Sequence, residues 1–187
     1  FVSINFTDST SDFYALPIVI GSDSAEDSLI GVVTIGTSSC ELHDATHGVV
    51  WWQWLRELLL HRTELTSLRG GRVRGNVTSA LNAEVLAALQ PDDLQRHGGQ
   101  QSNTSIAVGA AYFMKLFRRP QLGVNPDAEI GVFLTERGRF PQTPAVAATI
   151  EYVSPSNEPR CLAILSARID ADCDAWTYSL RQLSGFW

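Results

Sequence analysis

The chain is predicted to adopt an α+β fold in two units, and three observations lead there. Short β-branched and aromatic runs alternate with polar turns, two stretches carry helical periodicity, and the second half follows a simple order of strand, strand, helix, strand, strand. A polar, glycine-containing stretch at 95–101 separates the halves. Residues 1–98 therefore read as an amino-terminal subdomain, and residues 99–187 as an antiparallel sheet with a helix carrying Glu129.

In the first unit, residues 13–20 and 29–35 are β-rich runs on either side of a polar turn. Residues 44–61 read as a helix: Asp44 suits the N-cap, and Val49, Val50, Trp52, Leu55, Leu58 and Leu59 recur at helical spacing. Residues 71–77 suit a strand, and 79–89 a second helix stopped by Pro91. In the second unit the strands fall at about 103–109, 111–118, 145–153 and 160–169, with a helix over 126–137. Asn125 caps that helix and Pro126 takes its first position, where a missing N–H costs nothing. A last helix spans about 174–184.

Composition narrows the function. The chain has 187 residues, 44% hydrophobic and 18% charged, as in ordinary globular proteins. Fourteen basic against 20 acidic residues give a net charge of −6, which argues against a nucleic-acid partner. The apolar runs are too short to span a bilayer, and no secretory leader is visible. The three cysteines, Cys40, Cys161 and Cys173, have neither disulfide-framework nor zinc spacing, which predicts reduced thiols in a cytoplasmic protein. The chain opens on Phe1 rather than Met, which predicts a piece of a longer protein.

The chemistry centres on Lys115, within Tyr112-Phe113-Met114-Lys115-Leu116-Phe117. On an alternating strand Phe113, Lys115 and Phe117 share one face. A cation among aromatic groups needs an anionic partner when desolvated, and Glu129 on the following helix could supply it. Lys115 would then contact nucleotide phosphates, held by Glu129; the competing reading is a surface lysine on an edge strand. Ser102, Asn103, Thr104 and Ser105 precede the lysine strand, and hydroxyls with free amides can cradle phosphate oxygens. Neither GxGxxG nor GxxxxGK[ST] is present, so a plain polar turn competes with that reading.

Other groups favour simpler roles. Arg118 and Arg119 suit a solvated pair, and Asp127 suits the positive end of the helix dipole. Trp51, Trp52 and Trp54 suit core better than sugar stacking. His43 and His47 have the spacing of a helical metal pair but lack a third ligand. Arg69, Arg72 and Arg74 suit a solvated hairpin face.

The segments QSNTSI, MKLFRR, GVNPDAEIGVFLTE and RFPQTPAVAATIEY, in that order, resemble the amino-terminal part of actinobacterial-type maltokinases, above all those fused behind trehalose synthase. Tyr14-Ala15-Leu16-Pro17, Leu42-His43-Asp44-Ala45 and Asp174-Ala175-Trp176-Thr177-Tyr178 extend the resemblance over nearly the whole chain. It implies an amino-terminal cap followed by a protein-kinase-like nucleotide-binding N-lobe. It also implies a route in which the γ-phosphate of ATP passes to the anomeric hydroxyl of maltose, giving maltose 1-phosphate. Lys115 would match the phosphate-binding lysine and Glu129 its partner, a pair expected to form even in this chain alone. Ser102, Asn103, Thr104 and Ser105 would match the turn that replaces the Gly-rich loop. Residues 165–169 would lead to a second lobe.

The chain departs from the family in two respects. It reads Leu165-Ser166-Ala167-Arg168-Ile169 where the family has Gln followed by an acidic or aromatic residue. The resemblance also implies a second lobe, with a catalytic aspartate, metal-binding residues and a maltose pocket, that these 187 residues are not expected to contain. The resemblance thus implies no catalytic residue and no phosphotransfer here. ATP and Mg would be cofactors of the full enzyme rather than tight ligands of this chain, and its partners would be the second lobe and a trehalose synthase domain. Two alternatives stand beside this: a non-catalytic interaction module attached to a trehalose synthase, and the amino-terminal part of a related glucosamine kinase.

Overall fold

A computed structural model describes residues 1–21, 28–97, 103–173 and 175–185. It is a mixed α+β arrangement of antiparallel sheets with few helices. The first layer holds a hairpin of β1 (Val2–Asn5) and β2 (Ser11–Tyr14). It also holds a three-stranded sheet in the order β3 (Ile18–Ile20), β5 (Ser38–Asp44), β4 (Leu29–Ile35). The run at 13–20 is thus two strands. Pro17, which has no N–H to donate, stands just before β3, and the Ala15 N–H turns away to the carbonyl of Arg118.

The helix expected from Asp44 begins later. Asp44 closes β5, and its carboxylate accepts from Thr46 N (3.0 Å) to cap a 3₁₀ turn at Ala45–His47. The chain extends again at Gly48 before α1 (Val49–Leu60). His43 therefore lies on a strand, its Nδ1 2.9 Å from Ser28 Oγ, and shares no helix with His47. Asn82 caps the short α2 (Ala83–Ala88), so this helix is narrower than expected.

Among the described residues the main sheet has seven antiparallel strands in the order β6 (Glu64–Thr66), β7 (Arg72–Val77), β11 (Val146–Val153), β12 (Pro159–Ala167), β10 (Tyr112–Phe117), β9 (Asn103–Val108), β8 (Leu94–His97). It runs across the expected boundary at residue 98. The β8 strand, placed in the polar connection by sequence, pairs with β9, and β7 pairs with β11. At the β9–β10 turn Gly109 has φ +60° and lies against Leu89, so a side chain there would meet both strain and a clash.

Each face of the sheet has its own helix. Trp51, Trp52, Leu55, Leu58 and Leu59 of α1 and Leu86 of α2 pack on Val73, Ile106, Met114, Leu116, Ile150 and Leu162. Each such burial contributes about 1.5–3 kcal/mol, so this face carries most of the stability. On the other face, α3 (Pro126–Phe133) sets Ala128 and Val132 against Phe117, Val146, Cys161 and Ile164. Helix and sheet approach closely: a Cβ on Gly131 would lie 2.6 Å from Val146 Cγ2. A π-helical turn, Leu134–Gly138, extends α3, and Arg139 ends it in the left-handed region. The last helix, α4 (Ala175–Ser184), is exposed along the residues described. Among the described residues no helix is long and apolar enough to cross a membrane.

Candidate functional site

The alternation read from β10 holds. Met114 and Leu116 enter the α1 core, while Phe113, Lys115 and Phe117 occupy the α3 side. On that side a cleft of about 1040 Å³ opens between the sheet, α3 and the end of β12. His97, Ser105, Phe113 and Lys115 form one wall, Asp127, Ile130 and Leu134 of α3 another, and Ile164, Ser166 and Arg168 the third. The Lys115 ammonium lies 5.0 Å from the Phe117 ring centre, a favourable cation–π distance.

Its anionic partner differs from the one expected. Lys115 Nζ donates to Asp127 Oδ2 at 2.8 Å, while Glu129 makes no ion pair among the described residues. The reason is the rotation of α3. Residues two apart on a helix point about 200° apart. With Ala128, Gly131 and Val132 against the sheet, Asp127 falls on the flank nearest β10 and Glu129 on the opposite flank. Glu129 faces a separate groove of about 640 Å³ that also holds Asn76, Thr78, Glu136 and Glu151. Asp127 thus has a role that sequence reasoning missed. Its place in the first turn suits the dipole, and the Asn125 cap brings that turn to the mouth of the cleft. The pair is solvated, with side chains 39% and 62% exposed, so it contributes ~0–1 kcal/mol and mainly orients the lysine.

The polar segment before the lysine strand is divided. Ser102 lies outside the described residues. Asn103, Thr104 and Ser105 belong to β9 rather than to a turn. Ser105 pairs with Lys115 and Asn103 with Phe117, which puts both on the cleft side. Thr104 pairs with Leu116 on the opposite side, and its hydroxyl accepts from Arg118 Nε at 2.8 Å. A period of two therefore keeps Thr104 away from any ligand held by Lys115.

Of Arg118 and Arg119 the first is half-buried and the second exposed, and each has an acidic partner. Arg118 reaches Asp44, and Arg119 reaches Asp12, so both tie β10 to the amino-terminal layer. Trp51 and Trp52 are core residues, and Trp52 Nε1 points to the carbonyl of Leu89. Arg74 donates from both Nε and Nη2 to one carboxylate oxygen, Oε2, of Glu151 on the neighbouring strand. The three cysteines are free thiols, and burial pushes that of Cys161 up to about 12.

The cleft offers an apolar wall, a tethered cation and hydroxyls, which suits a base and its phosphates. Among the described residues no cluster of three His, Cys, Asp or Glu could hold a metal ion. No family model matches the chain.

Proposed function

We propose that this chain is the nucleotide-binding lobe, with its amino-terminal cap, of an ATP-dependent sugar phosphotransferase of maltokinase type. The observation that carries the reading is Lys115, held by an acid of the next helix at the mouth of a cleft. Counted from β8, the lysine is on the third strand and the acid on the helix that follows, the order in which kinase-like lobes present a phosphate-binding lysine. The cleft volume is that of a small-molecule site.

In this reading Lys115 contacts phosphate oxygens and Asp127 fixes its direction. Phe113 and Ile164 flank the base, and Ser105 borders the phosphates. Mg supplies charge neutralisation when ATP is bound in the full enzyme. The second lobe orients maltose, and a trehalose synthase domain supplies the fusion context. In this reading phosphotransfer needs the second lobe as well, because that lobe orients the acceptor hydroxyl.

The test is a titration of the 187-residue chain with millimolar Mg·ADP, followed by NMR. Shifts confined to Phe113, Lys115 and Ile164, weakened about tenfold or more by Lys115→Ala, are expected. Shifts away from the cleft, or none, would overturn the reading.

A second reading, a non-catalytic interaction module, is favoured by one observation. Trp176, Leu180 and Leu183 lie three and four apart along α4 and are exposed. Full nucleotide silence with self-association lost on Trp176→Ser would favour it.

A further inference from the structure

Asp44 ends a strand of the amino-terminal layer, yet its carboxylate serves the seven-stranded sheet. Oδ2 accepts from Arg118 Nη2 at 2.7 Å and lies 3.7 Å from Arg96 Nη2. Oδ1 accepts from the amide and hydroxyl of Thr46, at 3.0 and 2.7 Å. Arg118 in turn donates to Thr104, so one acid gathers β8, β9 and β10. The Ala15 N–H adds a backbone bond to the Arg118 carbonyl at 2.9 Å.

These anchors lie behind the cleft. Arg96 precedes His97, Thr104 precedes Ser105, and Arg118 follows Lys115 by three positions. Successive strand residues face opposite ways, so each anchor sits on the back of a strand whose front presents a cleft residue. The arrangement matters most for β8, which among the described residues is an edge strand paired only with β9. The side chains of Asp44 and Arg118 are each 19% exposed and that of Arg96 is 29% exposed, so this cluster is far less solvated than the Lys115 pair.

We propose that Asp44 is a positioning residue for the cleft: through it the amino-terminal layer sets the placement of β8, β9 and β10, and hence of His97, Ser105 and Lys115. The cleft's ligand rests on the nucleotide reading above; the mechanical role of Asp44 does not.

Two readouts on the 187-residue chain separate them. The first is amide hydrogen exchange of wild type, Asp44→Asn and the milder Arg96→Gln. Exchange about tenfold faster in β8 and the start of β9, with β11 and β12 nearly unchanged, is expected for Asp44→Asn, because local opening is read strand by strand. Arg96→Gln should accelerate β8 alone. Uniform acceleration of the sheet in Asp44→Asn together with an unchanged β8 in Arg96→Gln would overturn the proposal. The second readout is the Mg·ADP titration, in which Asp44→Asn should weaken binding about fivefold through misplaced cleft groups, while Asp44→Glu recovers part of the loss. Unaltered affinity in Asp44→Asn would overturn the coupling to the cleft. A wild type that shows no cleft shifts would defeat the nucleotide reading alone, leaving hydrogen exchange to judge Asp44.

Discussion

Two ion pairs lie three residues apart along the chain, one from Lys115 in β10 and one from Arg118 just past its end, and they differ in almost everything but charge. Lys115–Asp127 stands at the mouth of a cleft, in solvent, on the thinner α3 side. Arg118–Asp44 stands behind the sheet, half-buried, with Thr46, Thr104 and Arg96 filling the remaining bonds. The first can exchange its carboxylate for another anion at little cost, because water already screens it. The second cannot lose a partner without stranding a charge in a poorly solvated place. One short segment thus carries a replaceable pair for a ligand and a fixed pair for architecture.

The sharpest way to break the comparison is to remove the support common to both. Met114 directly precedes Lys115 in sequence and is buried in the α1 core. Met114→Ala should cost about 2–5 kcal/mol in chemical denaturation, more than either ion pair, because it leaves a cavity in the larger core. A loss below that of the ion-pair variants would show that electrostatics, not packing, holds β10.

Acid comes next. Burial, the largest single influence on the Asp44 carboxyl, pushes it up, but hydrogen bonds from Thr46 and the Arg118 guanidinium outweigh it and hold the carboxyl below its ordinary 3.8. A group depressed in the folded state stabilises the fold above its unfolded value, and that contribution fades as pH falls through the folded value. Wild type should therefore be more stable than Asp44→Asn at pH 6, and the gap should close below about pH 4. A gap independent of pH would remove the charge from the explanation.

Smaller effects should follow on the cleft side. Asp127→Asn should change stability by less than about 1 kcal/mol, yet raise the rate at which Lys115 is acylated, since the ammonium loses its tether. Glu129→Gln should leave that rate alone. The opposite ranking would mean that the helix turns its other flank to the lysine in solution. Smallest of all, Cys161 should resist iodoacetamide at pH 8 while Cys40 and Cys173, both partly exposed, react, because a thiol pushed up to about 12 holds almost no thiolate there.

The sequence was most informative where the signal is local. The alternation of β10 follows from period two, the start of α3 from Asn125 and Pro126, and the buried tryptophans from helical spacing on α1. What escaped depends on distant contacts. The β8 strand, Leu94-Gln95-Arg96-His97, has little strand character of its own and forms because β9 offers it a partner. The start of α1 was misplaced by Asp44, whose capping chemistry is real but serves a 3₁₀ turn rather than the helix. Which acid meets Lys115 depends on how α3 is rotated. That is fixed by the fit of Gly131 against Val146, a contact between residues fifteen positions apart.

The seven-stranded sheet ends at both margins in brief strands, three residues in β6 and four in β8. Their residues include Glu64 and Arg96, so a neighbouring molecule that tried to add a strand would meet charged side chains before it could form more than a few bonds. The short β8 border that places His97 in the cleft also discourages fibrous growth, and a substitution such as Arg96→Val should be judged for solubility as well as for ligand binding.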